Sequence, residues 1–130
     1  MKSAPVLVAL AIIAAALSIS AMQTPQEETV RHVVVFKYKD DAPEEKIRTV
    51  TDAFRSLKDK IPGIVSFEHG VNNSPEGKNQ GFTHVYLLTF ENAAARDAYL
   101  PHPEHKKFGQ VLRETGIFED AFVVDYVPSD

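Results

Sequence analysis

The stretch FTHVYLLTFE, residues 82–91, is apolar on both of its faces. Phe82, His84, Tyr86, Leu88 and Phe90 alternate with Thr83, Val85, Leu87 and Thr89, the period of an extended strand. A strand with two apolar faces demands cover on both sides of its sheet, which excludes a sheet with one solvated face. VRHVVVFKYK, residues 30–39, follows the same rule. His32, Val34, Phe36 and Tyr38 fall on one face, and Val33, Val35 and Lys37 on the other. Any fold for this chain must therefore bury two sides of one sheet.

Between these strands the pattern changes period. DDAPEE places Pro43, Glu44 and Glu45 at a helix start, where proline and negative charge are favoured. Ile47, Val50, Phe54, Leu57 and Ile61 then recur at helical spacing until Pro62-Gly63 stops the run. IVSFEHGV, residues 64–71, is a strand with Val65, Phe67, His69 and Val71 expected on one face. NNSPEGKNQG has the composition of a loop. After the strand at 82–91, Asn92 can cap a short helix through Tyr99, Pro103 opens another, and FEDAFVVDYVP closes the chain as a fourth strand. The order β-α-β-β-α-β predicts a ferredoxin-like α+β fold with an antiparallel sheet. Its helices can cover one face only. Val33, Val35, Val85, Leu87 and Val123 are then expected bare on the other, and a bare apolar face of that size calls for a partner. The expectation is a homodimer in which two sheets pack face to face.

The N-terminus has a different character. Lys2, an apolar run from Val6 to Leu17 and the small residues SISA at 18–21 make a charged, an apolar and a cleavage region in order. The run is shorter than the roughly 20 apolar residues of a membrane span. Residues 1–21 therefore read as an export signal, 22–29 as a linker and 30–128 as the domain, with a secreted or periplasmic product. An uncleaved N-terminal anchor is the alternative. The formal charge of −4 becomes one unit more negative once Lys2 is removed, and no basic stripe remains, so nucleic acid is not an expected partner. There is no cysteine, which excludes disulfides, thiol chemistry and thiolate-bound metal.

AYLPHPEHKKFG gathers Tyr99, His102 and His105 in a chain that has five histidines in all. With Pro103 at the first helical position, His102 falls at the cap and His105 in the first turn. His105 shares a stripe with Phe108 and Leu112 and so points toward the core, while His102 points to water. A helix N-terminus disfavours an imidazolium, so His105 is expected to be neutral and able to accept a proton. His32 and His84 lie on strand faces that the helices would cover. Two readings follow: separate buried histidines satisfied by backbone carbonyls, or one sheet–helix space edged by His32, His84, Tyr99 and His105 that holds a small molecule. His102, His105 and His84 do not have an acidic residue at ligand spacing, and no metal or cofactor is assigned. His69, before Gly70, is placed at the rim.

RHVVVFKYK, GFTHVYLLTFEN, YLPHPEHKKFG and VVDYVP together resemble the stress-responsive dimeric A/B-barrel (Dabb) family over residues 30–128. The resemblance implies a ferredoxin-like monomer that dimerises through its sheets. By likeness to the polyketide cyclases of that family, His32 and His84 would bind ligand, His105 would be a general base and Tyr99 would hold a developing enolate or carbonyl oxygen. Three functions remain open: a small-molecule-binding barrel, a cyclase- or lyase-type enzyme using the Tyr99/His105 pair, and a ligand-free structural dimer. The precursor is expected to lose roughly its first twenty residues. Mass spectrometry of the native protein checks this, and an intact Met1 in the cytosol overturns it.

Overall fold

Residues 1–4 and 27–130 are described in a computed structural model; the apolar run and cleavage region of the expected export signal lie outside the described residues. The elements are β1 (Val30–Tyr38), α1 (Glu44–Lys60), β2 (Ile64–Val71), β3 (His84–Phe90), α2 (Ala93–Tyr99), α3 (Pro103–Glu114) and β4 (Phe118–Tyr126). The strands form one antiparallel sheet in the order β2-β3-β1-β4, the ferredoxin-like arrangement. Among the described residues no helix is long and apolar enough to cross a membrane.

Alternation along β1 decides the layering. Val30, His32, Val34, Phe36 and Tyr38 are all buried, while Arg31, Val33, Val35 and Lys37 are partly exposed. Tyr86, Leu88 and Phe90 of β3 join the buried set, and Val50, Phe54 and Leu57 of α1 close over it with Phe108 and Leu112 of α3. α1 carries Glu44 and Glu45 in its first turn and Lys58 and Lys60 in its last, matching its dipole at both ends. Its stop is steric. Gly63 has φ of 91°, and a Cβ there would lie 2.6 Å from Ala95 Cβ, so the turn into β2 needs glycine twice over.

Two strand faces differ from the sequence reading. In β2 the register slips between Ile64 and Ser66, so Val65 is an extra residue, 52 % exposed. Ile64 and Phe67 both reach the core across this bulge, and Val65 does not share the face of Phe67, His69 and Val71. In β4, Val123 is opposite Val34 and Asp125 opposite His32, and opposed residues share a face. Val123 thus projects to the helix side, while Phe122, Val124 and Tyr126 join Val33, Val35, Val85 and Leu87 on the open side. Phe122, Val123 and Val124 are consecutive apolar residues, so alternation carries no sign of which is which. Every residue from Glu119 to Val124 is exposed, since the helices do not extend over this edge strand.

Phe54, 2 % exposed, contacts four aromatic neighbours, whereas Val123 is half exposed. Phe54→Ala is expected to cost about 3–5 kcal/mol in urea unfolding, and Val123→Ala to stay within about 0.5 kcal/mol.

Candidate functional site

Asn92 caps α2 by accepting a hydrogen bond from the Ala95 amide at 2.7 Å, and the helix ends at Tyr99. Pro101 and Pro103 then set a tight passage into α3. His102 is the cap of α3, its Nδ1 accepting from the Glu104 amide at 3.1 Å. His105, one turn in, stacks on Tyr99 with ring centroids 4.2 Å apart and planes 27° from parallel. The two histidines of the motif therefore divide as their spacing implies: one builds the helix start and the other faces inward. The His105 Nδ1–H donates to the Leu100 carbonyl at 2.9 Å, because a carbonyl can only accept. That leaves Nε2 as the other polar edge of the ring.

Tyr99 is fully buried. Its ring lies between His105, Phe90 at 5.0 Å and His32 at 5.7 Å. Its hydroxyl has no hydrogen-bond partner, alone among the buried side-chain polar atoms of the described residues. Burial, and then the negative charge of Asp125, push its pKa well above the usual phenol range. The group is thus a neutral O–H donor. Buried hydroxyls ordinarily find a partner, so this one is an exception that asks for a reason.

His32, 5 % exposed, donates Nδ1–H to Asp125 Oδ1 at 2.6 Å. The other carboxylate oxygen of Asp125 accepts from Arg96 at 2.6 Å. Arg96 also reaches Asp97, and both carboxylates raise its pKa. This chain fixes the orientation of the His32 ring and leaves Nε2 as its other polar edge. It also ties β1, β4 and α2 together. Asp125 and Arg96 escaped the sequence reading. Asp125 left a signal there, as the one acid inside the apolar run FVVDYV.

His84 does not join this group. It is opposite Phe36, whereas His32 is opposite Leu88, so the two are four register positions apart, roughly 13 Å along the strands. Phe36, Phe54, Tyr86 and Phe108 fill the layer between them. The single space edged by four residues therefore resolves into two places: His32, Tyr99 and His105 at one end, His84 at the other. His84 Nδ1 bonds the Thr83 hydroxyl at 2.9 Å, and its ring meets Tyr38 edge-on at 4.9 Å. It borders a groove with Thr51, Arg55 and His69. Burial, and then the charge of His69, lower its pKa. His69 sits on the exposed rim, as read from the sequence, bonded to Arg55 at 2.8 Å. Among the described residues no three His, Cys, Asp or Glu side chains converge as metal ligands would.

The residue pattern of the Stress responsive A/B Barrel Domain (Dabb) matches residues 30–128. The chain is 32 % identical over 100 residues to the stress-response A/B barrel domain-containing protein HS1 of Arabidopsis thaliana, covering 77 % of this chain and 90 % of that one. It is 30 % identical over 99 residues to olivetolic acid cyclase of Cannabis sativa, covering 76 % and 96 %. Among solved structures, the hydroxynitrile lyase of Passiflora edulis superposes with a TM-score of 0.71, with 25 % identity over 82 % of this chain and 97 % of that one. A dimeric ferredoxin-like protein from Jannaschia superposes at 0.63, with 27 % identity over 75 % and 97 %.

The lowered pKa of His84 makes a pH test of its environment. Its folded-state value is below the ordinary 6.5, so the unfolded chain binds the proton more readily. The penalty is absent above 6.5 and grows as pH falls from there through the lowered value. The melting temperature is expected to decline between pH 7 and pH 5, and His84→Gln to flatten that slope; an unchanged slope in the variant refutes this.

Proposed function

Because the chain belongs to the stress-responsive A/B barrel family, we propose that it is an exported, homodimeric barrel protein that binds a small carbonyl-bearing molecule in the sheet–helix layer at Tyr99. One observation carries the reading. The Tyr99 hydroxyl is buried, neutral and unpaired, while the His105 ring stacks on the Tyr99 ring and His32, held by Asp125, meets that ring edge-on. An O–H donor so placed suits a carbonyl oxygen, and a flanking imidazole Nε2 suits a hydroxyl or an acidic C–H next to that carbonyl. The closed packing of Tyr99 implies that the layer opens to admit the ligand.

Self-association is supported by the open apolar face of Val33, Val35, Val85, Leu87, Phe122 and Val124, and by dimeric relatives of the same fold. Export is supported by the sequence of residues 1–21 alone. A second reading, catalysis, uses the same residues. Olivetolic acid cyclase and the Passiflora hydroxynitrile lyase bear names of enzymes, and a Tyr99 donor beside a His105 or His32 base is a competent pair for proton transfer next to a carbonyl.

Tyr99→Phe separates a ligand-serving hydroxyl from a merely buried one. The variant is expected to be as stable as wild type or more stable, by up to about 1–3 kcal/mol, since an unpaired buried O–H is removed. It is also expected to lose the thermal shift that carbonyl metabolites give the wild type, as is His105→Ala. Equal ligand response in wild type and both variants sinks the reading and leaves a ligand-free dimer. Leu87→Asp is expected to yield monomer or aggregate in sedimentation, and a wild-type monomer at micromolar concentration refutes self-association.

A further inference from the structure

We propose that the groove between α1 and the His84 end of the sheet is a second ligand site, one that takes a small monocarboxylate with an apolar tail. The argument begins with a proton count. Tyr38 Oη and Tyr86 Oη are 2.9 Å apart, and Thr51 Oγ1 is 2.9 Å from the same Tyr86 Oη. Three hydroxyls carry three protons, but the chain contains two bonds, so one proton must be directed out of it. Burial decides which. Tyr38 and Tyr86 are enclosed in the core, where an unpaired O–H is costly, and Thr51 is the member that reaches the groove wall. The favoured arrangement runs Tyr38 to Tyr86 to Thr51, with the Thr51 O–H offered to the groove. Burial and the bond to Tyr86 push the Tyr38 pKa far up, so Tyr38 keeps its proton at any ordinary pH.

The walls around that donor are set. Arg55 is held by Asp52 and donates to His69 Nε2 at 2.8 Å, which places the His69 proton on Nδ1. Arg48 joins no ion pair among the described residues and borders the same groove. The donors left free here are therefore a guanidinium and a hydroxyl proton, and a carboxylate accepts from both, while Glu44 on the same wall is an acceptor outside any ion pair among the described residues. An ammonium, which has only donors, has nothing to give the Thr51 proton. Ile47 and Val71 supply apolar wall for a tail, and the groove, of about 660 Å³, is ample for a short one. Glu44 on the same wall repels a second carboxylate, which limits the site to monoanions. His84 lines the groove too, and its lowered pKa keeps its ring from adding charge near neutrality. None of this depends on whether Tyr99 binds a ligand.

Hexanoate and hexanol, titrated into the purified protein and followed by the histidine ring resonances, test the site. Hexanoate is expected to move His84 and His69 saturably, and hexanol to bind at least roughly 10-fold more weakly. Arg48→Gln and Thr51→Val should each weaken hexanoate by roughly 5- to 30-fold. Thr51→Val is nearly isosteric and leaves the Tyr38–Tyr86 bond in place; a retained melting temperature confirms its fold, and Arg48→Gln, at an exposed position, tests the site independently. The proposal is overturned if hexanoate and hexanol bind alike, if only His32 and His105 respond, if both variants bind as wild type does, or if no saturable shift appears.

Discussion

Phe36 is the hub on which the arrangement of this protein depends. Its ring meets Tyr38, Phe54, Tyr86, Phe108 and Phe118 at centroid separations of 5.2 to 6.5 Å, so β1, β3, α1, α3 and β4 all converge on one side chain. Aromatic rings fill space as rigid plates and gain from edge-to-face and offset contacts beyond the area they bury. A block of them at the centre of the sheet–helix layer holds the helices at a fixed height. It also partitions the layer. His32, Tyr99 and His105 are confined to one end, and His84 with the Tyr38–Tyr86–Thr51 hydroxyls to the other. Packing, more than polar design, decided that the chain would have two polar regions.

The two ends are stabilised by different physics. At the Tyr99 end a carboxylate grips a histidine and an arginine with charge-assisted bonds of 2.6 Å, joining the edge strand β4 to β1 and α2. Little else on the helix side secures β4, because its middle is exposed on both faces. The clasp therefore acts structurally as well as orienting His32, and any chemistry at Tyr99 inherits the rigidity of that clasp. At the His84 end the interior polar groups are hydroxyls bonded to each other and a His84 ring bonded to Thr83, with charged side chains at the rim in Arg48, Arg55, Asp52 and Glu44. A neutral interior with a charged rim favours a ligand that brings its own charge to the surface and its apolar part inward.

A shared scaffold does not by itself transmit a reaction. The family relation accounts for the antiparallel sheet and the helices packed on it. What the layer admits depends on how much of it the core residues occupy, and here bulky rings at Phe36, Phe54, Tyr86 and Phe108 occupy its middle. The side chains that line each end, more than the fold, are the determinants of function.

Element order, the buried faces of β1 and β3, the division of labour between His102 and His105, and the bare second face of the sheet were legible in the residues alone. Each follows from a local rule: a period of two or 3.6, a cap, or a proline that fixes its own backbone. The bulge at Val65, the facing of Val123, the capture of His32 by Asp125 and the separation of His84 from Tyr99 were decided only in three dimensions. Register is the reason. A slip of one residue inverts a strand's faces, and in consecutive apolar residues such as Ile64-Val65 or Phe122-Val123-Val124 no alternation marks the inversion. Residues 93 positions apart in the chain, as His32 and Asp125 are, meet through pairing of β1 with β4, and no periodicity within either strand encodes that meeting.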